Sequence, residues 1–126
     1  MRVAYVDSSC IVAIALGERG ATAMARRLDA FDEIVSSNLL EAEVRGAIIR
    51  EKVVATDELF ASLAWILPDR PLGAEIARVL GAGYVRGADC WHLATALYLA
   101  EEPGTIAFLT LDARQAKVAS ILGFGR

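Results

Sequence analysis

Four acidic side chains stand where a fold could bring them together. The apolar run "VAYVD" closes on Asp7 and "AFLTLD" closes on Asp112. Asp89 opens the segment "GADCWHLATALYLAEE", and Glu41 and Glu43 sit two apart in "NLLEAEVRGAIIR". Most have an ordinary structural explanation. Asp7 and Asp112 could cap the helices that follow them. Asp89 would gain about 0.3–1 kcal/mol from a first helical turn at an exposed site. Glu41, three residues after Asn38, could close a capping box. Glu43 has no such duty and is the better candidate of the two; they project about 200° apart, so only one can face a given site. Ser8 and Ser9 offer caps of their own, which frees Asp7. Cys90, Trp91 and Leu93 make Asp89 the mouth of a helix that begins buried.

If these acids meet, repulsion sets the chemistry. Unit charges about 4 Å apart at an effective dielectric of ~20 interact by about 4 kcal/mol. Such a cluster keeps protons or recruits a cation. An oxygen-only set suits hard ions, magnesium or manganese, and the lack of cysteine or histidine pairs disfavours zinc. His92, the single histidine, reads as a hydrogen-bonded packing residue.

The elements that must position the acids follow from periodicity and caps. Strands are expected at Val3–Val6, Glu33–Ser37, Trp65–Pro68 and Thr105–Leu111. Helices are expected after Ser8 or Ser9 up to Gly17, and over Ala21–Ala30. Further helices are expected from an Asn38 cap to Glu51, and over Thr56–Ala64, Leu72–Leu80, Gly87–Glu102 and Ala113–Leu122. Nearly continuous apolar strands alternating with helices predict an α/β fold, a parallel sheet covered on both faces. Ligand crevices in such sheets lie beyond the carboxyl ends of the strands, where strand order reverses. Asp7 and Asp112 both fall there.

Residues 1–126 fit a single domain able to bury its own core. The net charge of −3 argues against nucleic-acid binding by bulk charge alone. Of 13 basic residues only Lys52 and Lys117 are lysines; Arg45, Arg86 and Arg114 could serve at a phosphate rim. Cys10 and Cys90 have no metal spacing and read as reduced core residues. Asp7, Ser8 and Ser9 interrupt the first apolar stretch, so no signal peptide is expected. No segment approaches the ~18 apolar residues of a membrane span. No membrane association is expected, and the expected location is the cytoplasm. There is no "GxSxG" elbow and no "GxxxxGK[ST]" loop. A receiver-like switch needs a paired acid after the first strand, and a dehalogenase-type phosphotransferase needs an acid where Ser9 stands.

Four motifs in this order resemble the PIN-domain ribonucleases, and among them the VapC-type toxins of VapBC toxin–antitoxin pairs. "YVDSS" looks like the family's opening strand, with Asp7 and Ser9 in its acid and hydroxyl positions. "EAEVRGAI" resembles the glutamate-bearing helix, in the register that selects Glu43. "GADCWHLATAL" is close to the third motif, with Asp89 as its acid; His92 and Ala94 fit that segment's pattern. "LTLDAR", with Thr110 and Asp112, and the later "LGF" look like the fourth motif and the ending.

The resemblance implies a three-layer α/β/α sandwich around a central parallel sheet. It implies Mg2+- or Mn2+-dependent hydrolysis of RNA, a homodimer, and a cognate antitoxin that masks the site. Asp7, Glu43, Asp89 and Asp112 would hold metal directly or through water. Ser9 or Thr110 would orient a water or a carboxylate. The alternative is a catalytically inactive domain of this kind that binds protein or RNA.

Overall fold

The computed structural model describes residues 1–54 and 57–126. Four parallel strands form one sheet in the order β3-β2-β1-β4: β1 is Val3–Val6, β2 Glu33–Ser37, β3 Leu63–Ile66 and β4 Ala107–Leu109. Tyr5 lies opposite Val35 on one side and Phe108 on the other, which fixes the register of β2, β1 and β4. The chain builds outward from β1 through β2 to β3, then returns to place β4 on the far side of β1. The order therefore reverses between β1 and β4, and the crevice expected of such sheets lies past their carboxyl ends.

Alternation along β1 divides the core. Ala4 and Val6 point into a cluster with Cys10, Ile11, Leu40 and Val44. These come from α1 (Ser8–Leu16) and α3 (Leu39–Arg50); α2 (Ala21–Leu28) and the short α4 (Glu58–Ala61) complete that layer. Tyr5 points the other way, among Val79, Leu93, Ala96 and Val118. These belong to α5 (Gly73–Ala82), α6 (Gly87–Leu99) and α7 (Ala113–Leu122). A period of two in a strand buried on both faces is what separates the two helix layers. The result is the α/β/α sandwich.

Several elements begin and end where the sequence puts them. The bounds of β1, β2 and α7 are as expected, and α1 stops at Gly17, whose φ of 62° suits the left-handed cap. Other bounds differ for physical reasons. Leu63 and Ala64 belong to β3 rather than to a helix, since they pair with Ile34 and Val35. The expected helix over Thr56–Ala64 reduces to Glu58–Ala61, and its first residue lies outside the described residues. The last strand is short because Thr105 is drawn into a 3₁₀ turn, its hydroxyl donating to the Glu102 carbonyl at 2.7 Å. Gly125 adds a parallel bridge to Ala107, with Phe108 N–H donating to the Gly125 carbonyl at 2.9 Å. No helix among the described residues is long and apolar enough to cross a membrane.

Candidate active site

Asp7 ends β1 and caps α1, a role expected of Ser8 or Ser9. Its side chain is buried, 3% exposed, and both carboxyl oxygens are engaged. Oδ1 accepts from Ser9 N–H at 3.1 Å and from the Ser9 hydroxyl at 2.5 Å. Oδ2 faces the Thr110 hydroxyl at 2.7 Å. Ser9 in turn accepts Leu111 N–H at 2.9 Å, so the loop after β4 is tied to the first turn of α1. Capping and site chemistry are compatible here, because an ionised carboxylate has about four lone-pair positions.

Asp112 also caps its helix, Oδ1 accepting from Gln115 N–H at 2.8 Å, and is itself exposed. Gln115 is completely buried. Its Nε2 donates to the Asp89 carbonyl at 3.2 Å, which fixes the amide orientation and turns Oε1 toward the Thr110 hydroxyl at 3.0 Å. Thr110 also accepts Asp112 N–H at 3.0 Å. A hydroxyl has one proton, yet Asp7 Oδ2 and Gln115 Oε1 both face it as acceptors. A proton on Asp7 resolves the conflict, and burial independently raises the Asp7 carboxyl above its ordinary value, against the lowering effect of Ser9, Thr110 and His92.

Asp89 lies half-buried in the first turn of α6. Burial raises its carboxyl, and the charges of Asp112, Asp7 and Glu43 raise it further while His92 pulls it down. Four separate elements thus bring their acids close enough for the other three to act on Asp89. Among the described residues, no three His, Cys, Asp or Glu side chains form a ready-made metal cage.

Glu43 reaches the site from the opposite helix layer. α3 and α6 lie on different faces of the sheet, and they meet past its carboxyl edge, where His92 Nε2 contacts Glu43 Oε1 at 2.6 Å. His92 is fully buried, and its Nδ1 lies 2.8 Å from the Tyr5 hydroxyl. That hydroxyl already accepts Ser37 N–H at 3.0 Å, and burial holds it firmly protonated. Tyr5 therefore spends its proton on Nδ1, and His92 carries its own on Nε2, where it donates to Glu43. The packing role expected of His92 is present, together with a positioning role for Glu43.

Glu41 turns away: it pairs with Arg45 at 2.6 Å, and Arg45 covers the Phe60 ring at 4.6 Å. The expected capping box is not formed. Ser37 Oγ accepts Leu39 N–H at 3.1 Å instead, while Asn38 makes no side-chain cap. Arg45 is engaged with Glu41 and Phe60, away from the phosphate rim suggested for it. Tyr5 and Gln115 were not among the expected site residues. Gln115 left a signal, since it is the one polar member of the spacing Gln115, Val118, Ala119, Leu122 on the buried stripe of α7. Tyr5 left none, being an aromatic residue in an apolar strand.

The fold is an α/β/α sandwich around a four-stranded parallel sheet, with acids gathered past its carboxyl edge. The PIN domain family profile matches residues 4–121, and the chain belongs to that family. PIN domains are in general nucleases and typically use divalent metal ions. No curated protein and no solved structure matches the chain.

Proposed function

We propose that the chain is a Mg2+- or Mn2+-dependent endoribonuclease, hydrolysing RNA phosphodiester bonds as the toxin of a toxin–antitoxin pair. The support for the reading is that β1, α3 and the loop after β4 bring Asp7, Glu43 and Asp112 near enough to Asp89 on α6 for their charges to raise its carboxyl. The donor set fits a hard divalent ion: its ligands are oxygens, and a cation relieves their repulsion. Among the described residues no donor reaches the Asp89 carboxylate, which leaves it free for such an ion. Magnesium keeps several waters and needs only one or two direct carboxylates.

A bound divalent ion supplies a water activated as nucleophile and offsets charge on the phosphoryl oxygens. The chain's residues do the rest. Ser9 and Thr110 hold both Asp7 oxygens in one orientation. His92 holds Glu43, and Gln115 fixes α7 against the carbonyl of Asp89. A homodimer and a masking antitoxin are proposed from the likeness of the four motifs to VapC-type toxins.

The test is cleavage of labelled single-stranded RNA by the purified chain across a Mg2+ and Mn2+ titration, with EDTA as control. Cleavage is expected with metal only, and Asp7→Asn should reduce it by roughly three orders of magnitude or more. RNA left intact at saturating metal, or cut equally by Asp7→Asn, sinks the proposal. Induced expression of the wild-type chain should arrest bacterial growth, and expression of Asp7→Asn should not.

A further inference from the structure

We propose that the groove between the α5–α6 connection and α7 binds an unpaired nucleotide of the substrate. Its base stacks on Tyr84, and its phosphates meet Arg114 and Lys117. The inference rests on the ribonuclease reading above and adds a substrate subsite to it.

The groove has a volume of about 710 Å3, inside the roughly 300–1,000 Å3 of ordinary ligand clefts. Its opening carries Tyr84, which is 68% exposed, an unusual position for a large aromatic ring with no fold to support. The Arg114 guanidinium lies 5.9 Å from the centre of that ring, and Lys117 follows one turn later on α7. Among the described residues no acidic side chain lines the groove, although the chain as a whole is acidic. A local patch with two cations, one aromatic face and no acid is complementary to a nucleotide. Stacking on an aromatic face with cations along the backbone is how single strands are held without sequence preference.

Position joins the groove to the chemistry. Tyr84 lies in the segment that runs into the first turn of α6, where Asp89 sits. Arg114 lies in the first turn of α7, just after Asp112. The wall is built closely: a Cβ at Gly83 would stand 3.0 Å from Val118 Cγ2, so a larger residue there would need Val118 to shift. Gln115 fixes α7 to the Asp89 carbonyl at 3.2 Å, so groove and acids keep one spatial relation. A strand whose scissile phosphate meets the acids passes its neighbouring nucleotide into this groove.

The experiment measures binding of a labelled single-stranded oligoribonucleotide to the full-length chain in EDTA, then KM and kcat with Mn2+. Tyr84→Ala should weaken single-strand binding about tenfold and raise KM with kcat little changed. Tyr84→Trp should restore both. Arg114→Ala and Lys117→Ala should each lower the slope of log affinity against log salt by about 0.7. Mn2+ affinity and the thermal midpoint should be unmoved in all of them. Unchanged RNA affinity in Tyr84→Ala overturns the subsite. So does an altered oligomeric state by sedimentation, which would make the groove a contact between copies. Wild-type binding without cleavage, lost in Tyr84→Ala, sustains the groove and removes the proposed activity. No wild-type affinity for RNA removes both.

Discussion

The two flanks of β1 hold their acids by different means. On the β2 flank every proton has one destination. Ser37 N–H goes to Tyr5, the Tyr5 proton to His92 Nδ1, and the His92 proton to Glu43. On the β4 flank one hydroxyl proton, that of Thr110, faces both Asp7 and Gln115. The first flank is complete without a cation. The second is short of one positive charge or one proton, and it is where burial, with the charges of Asp112 and Asp7, raises the Asp89 carboxyl.

Breaking the complete flank should cost the most stability. His92→Leu leaves the buried Tyr5 hydroxyl without an acceptor and Glu43 without its donor. A loss of about 2–3 kcal/mol is expected in urea unfolding. A loss below about 0.5 kcal/mol would mean that the network is not as closed as described. His92→Gln should recover part of the loss by offering a donor to Glu43.

Disturbing the other flank should affect the cation more than the fold. Gln115→Leu removes the tie between Thr110 and the Asp89 carbonyl while keeping the buried volume. Mn2+ affinity, measured by calorimetry or water-proton relaxation, should fall about 10- to 100-fold, as for other groups that orient metal ligands. Wild-type affinity in this variant would remove Gln115 from the site.

Asp7→Asn sharpens the contrast through pH. Burial raises the folded carboxyl of Asp7, so the folded state binds this proton more tightly than the unfolded chain does. The stabilisation it contributes is full below the unfolded carboxyl value of about 3.9 and is lost as pH rises through the raised folded value. An asparagine can still accept from Ser9 and can donate to Thr110, whose proton then serves Gln115. In metal-free buffer at neutral pH, Asp7→Asn should therefore melt a few degrees above wild type, and the gap should close toward about pH 4. A variant less stable than wild type at neutral pH would contradict the proton count. The smallest effect belongs to Glu41→Gln, which disturbs an exposed helical pair worth about 0.3–0.5 kcal/mol. It should leave Mn2+ affinity and cleavage untouched, whereas Glu43→Gln should reduce both.

How much of this was legible beforehand depends on range. Apolar runs with turn residues at their ends mark β1, β2 and α7 to the residue. Local pattern fails at Leu63 and Ala64, because a short apolar run fits a helix or a strand until β2 supplies its partner. It also fails at the first helix cap, where Asp7, Ser8 and Ser9 are equally suited by type and only the geometry of the strand end selects Asp7. Among the acids, Glu43, which has no local duty, contacts the buried His92, while Glu41 pairs with Arg45. The contacts that orient the acids were not legible. They join Tyr5 to His92 and Ser9 to Leu111, residues far apart in the chain, and no short-range rule encodes such meetings.

The bridge from Gly125 to Ala107 has a consequence for the far side of β4. That strand is three residues long and lies at the rim of the sheet, where unpaired peptide groups invite foreign strands. The chain's final residues cover part of that rim, with the Phe124 ring 5.6 Å from that of Phe108. Cropping Phe124–Arg126 would uncover a sticky border and slacken the strand that delivers Thr110, coupling solubility to the aim of an acid at the opposite end of that strand.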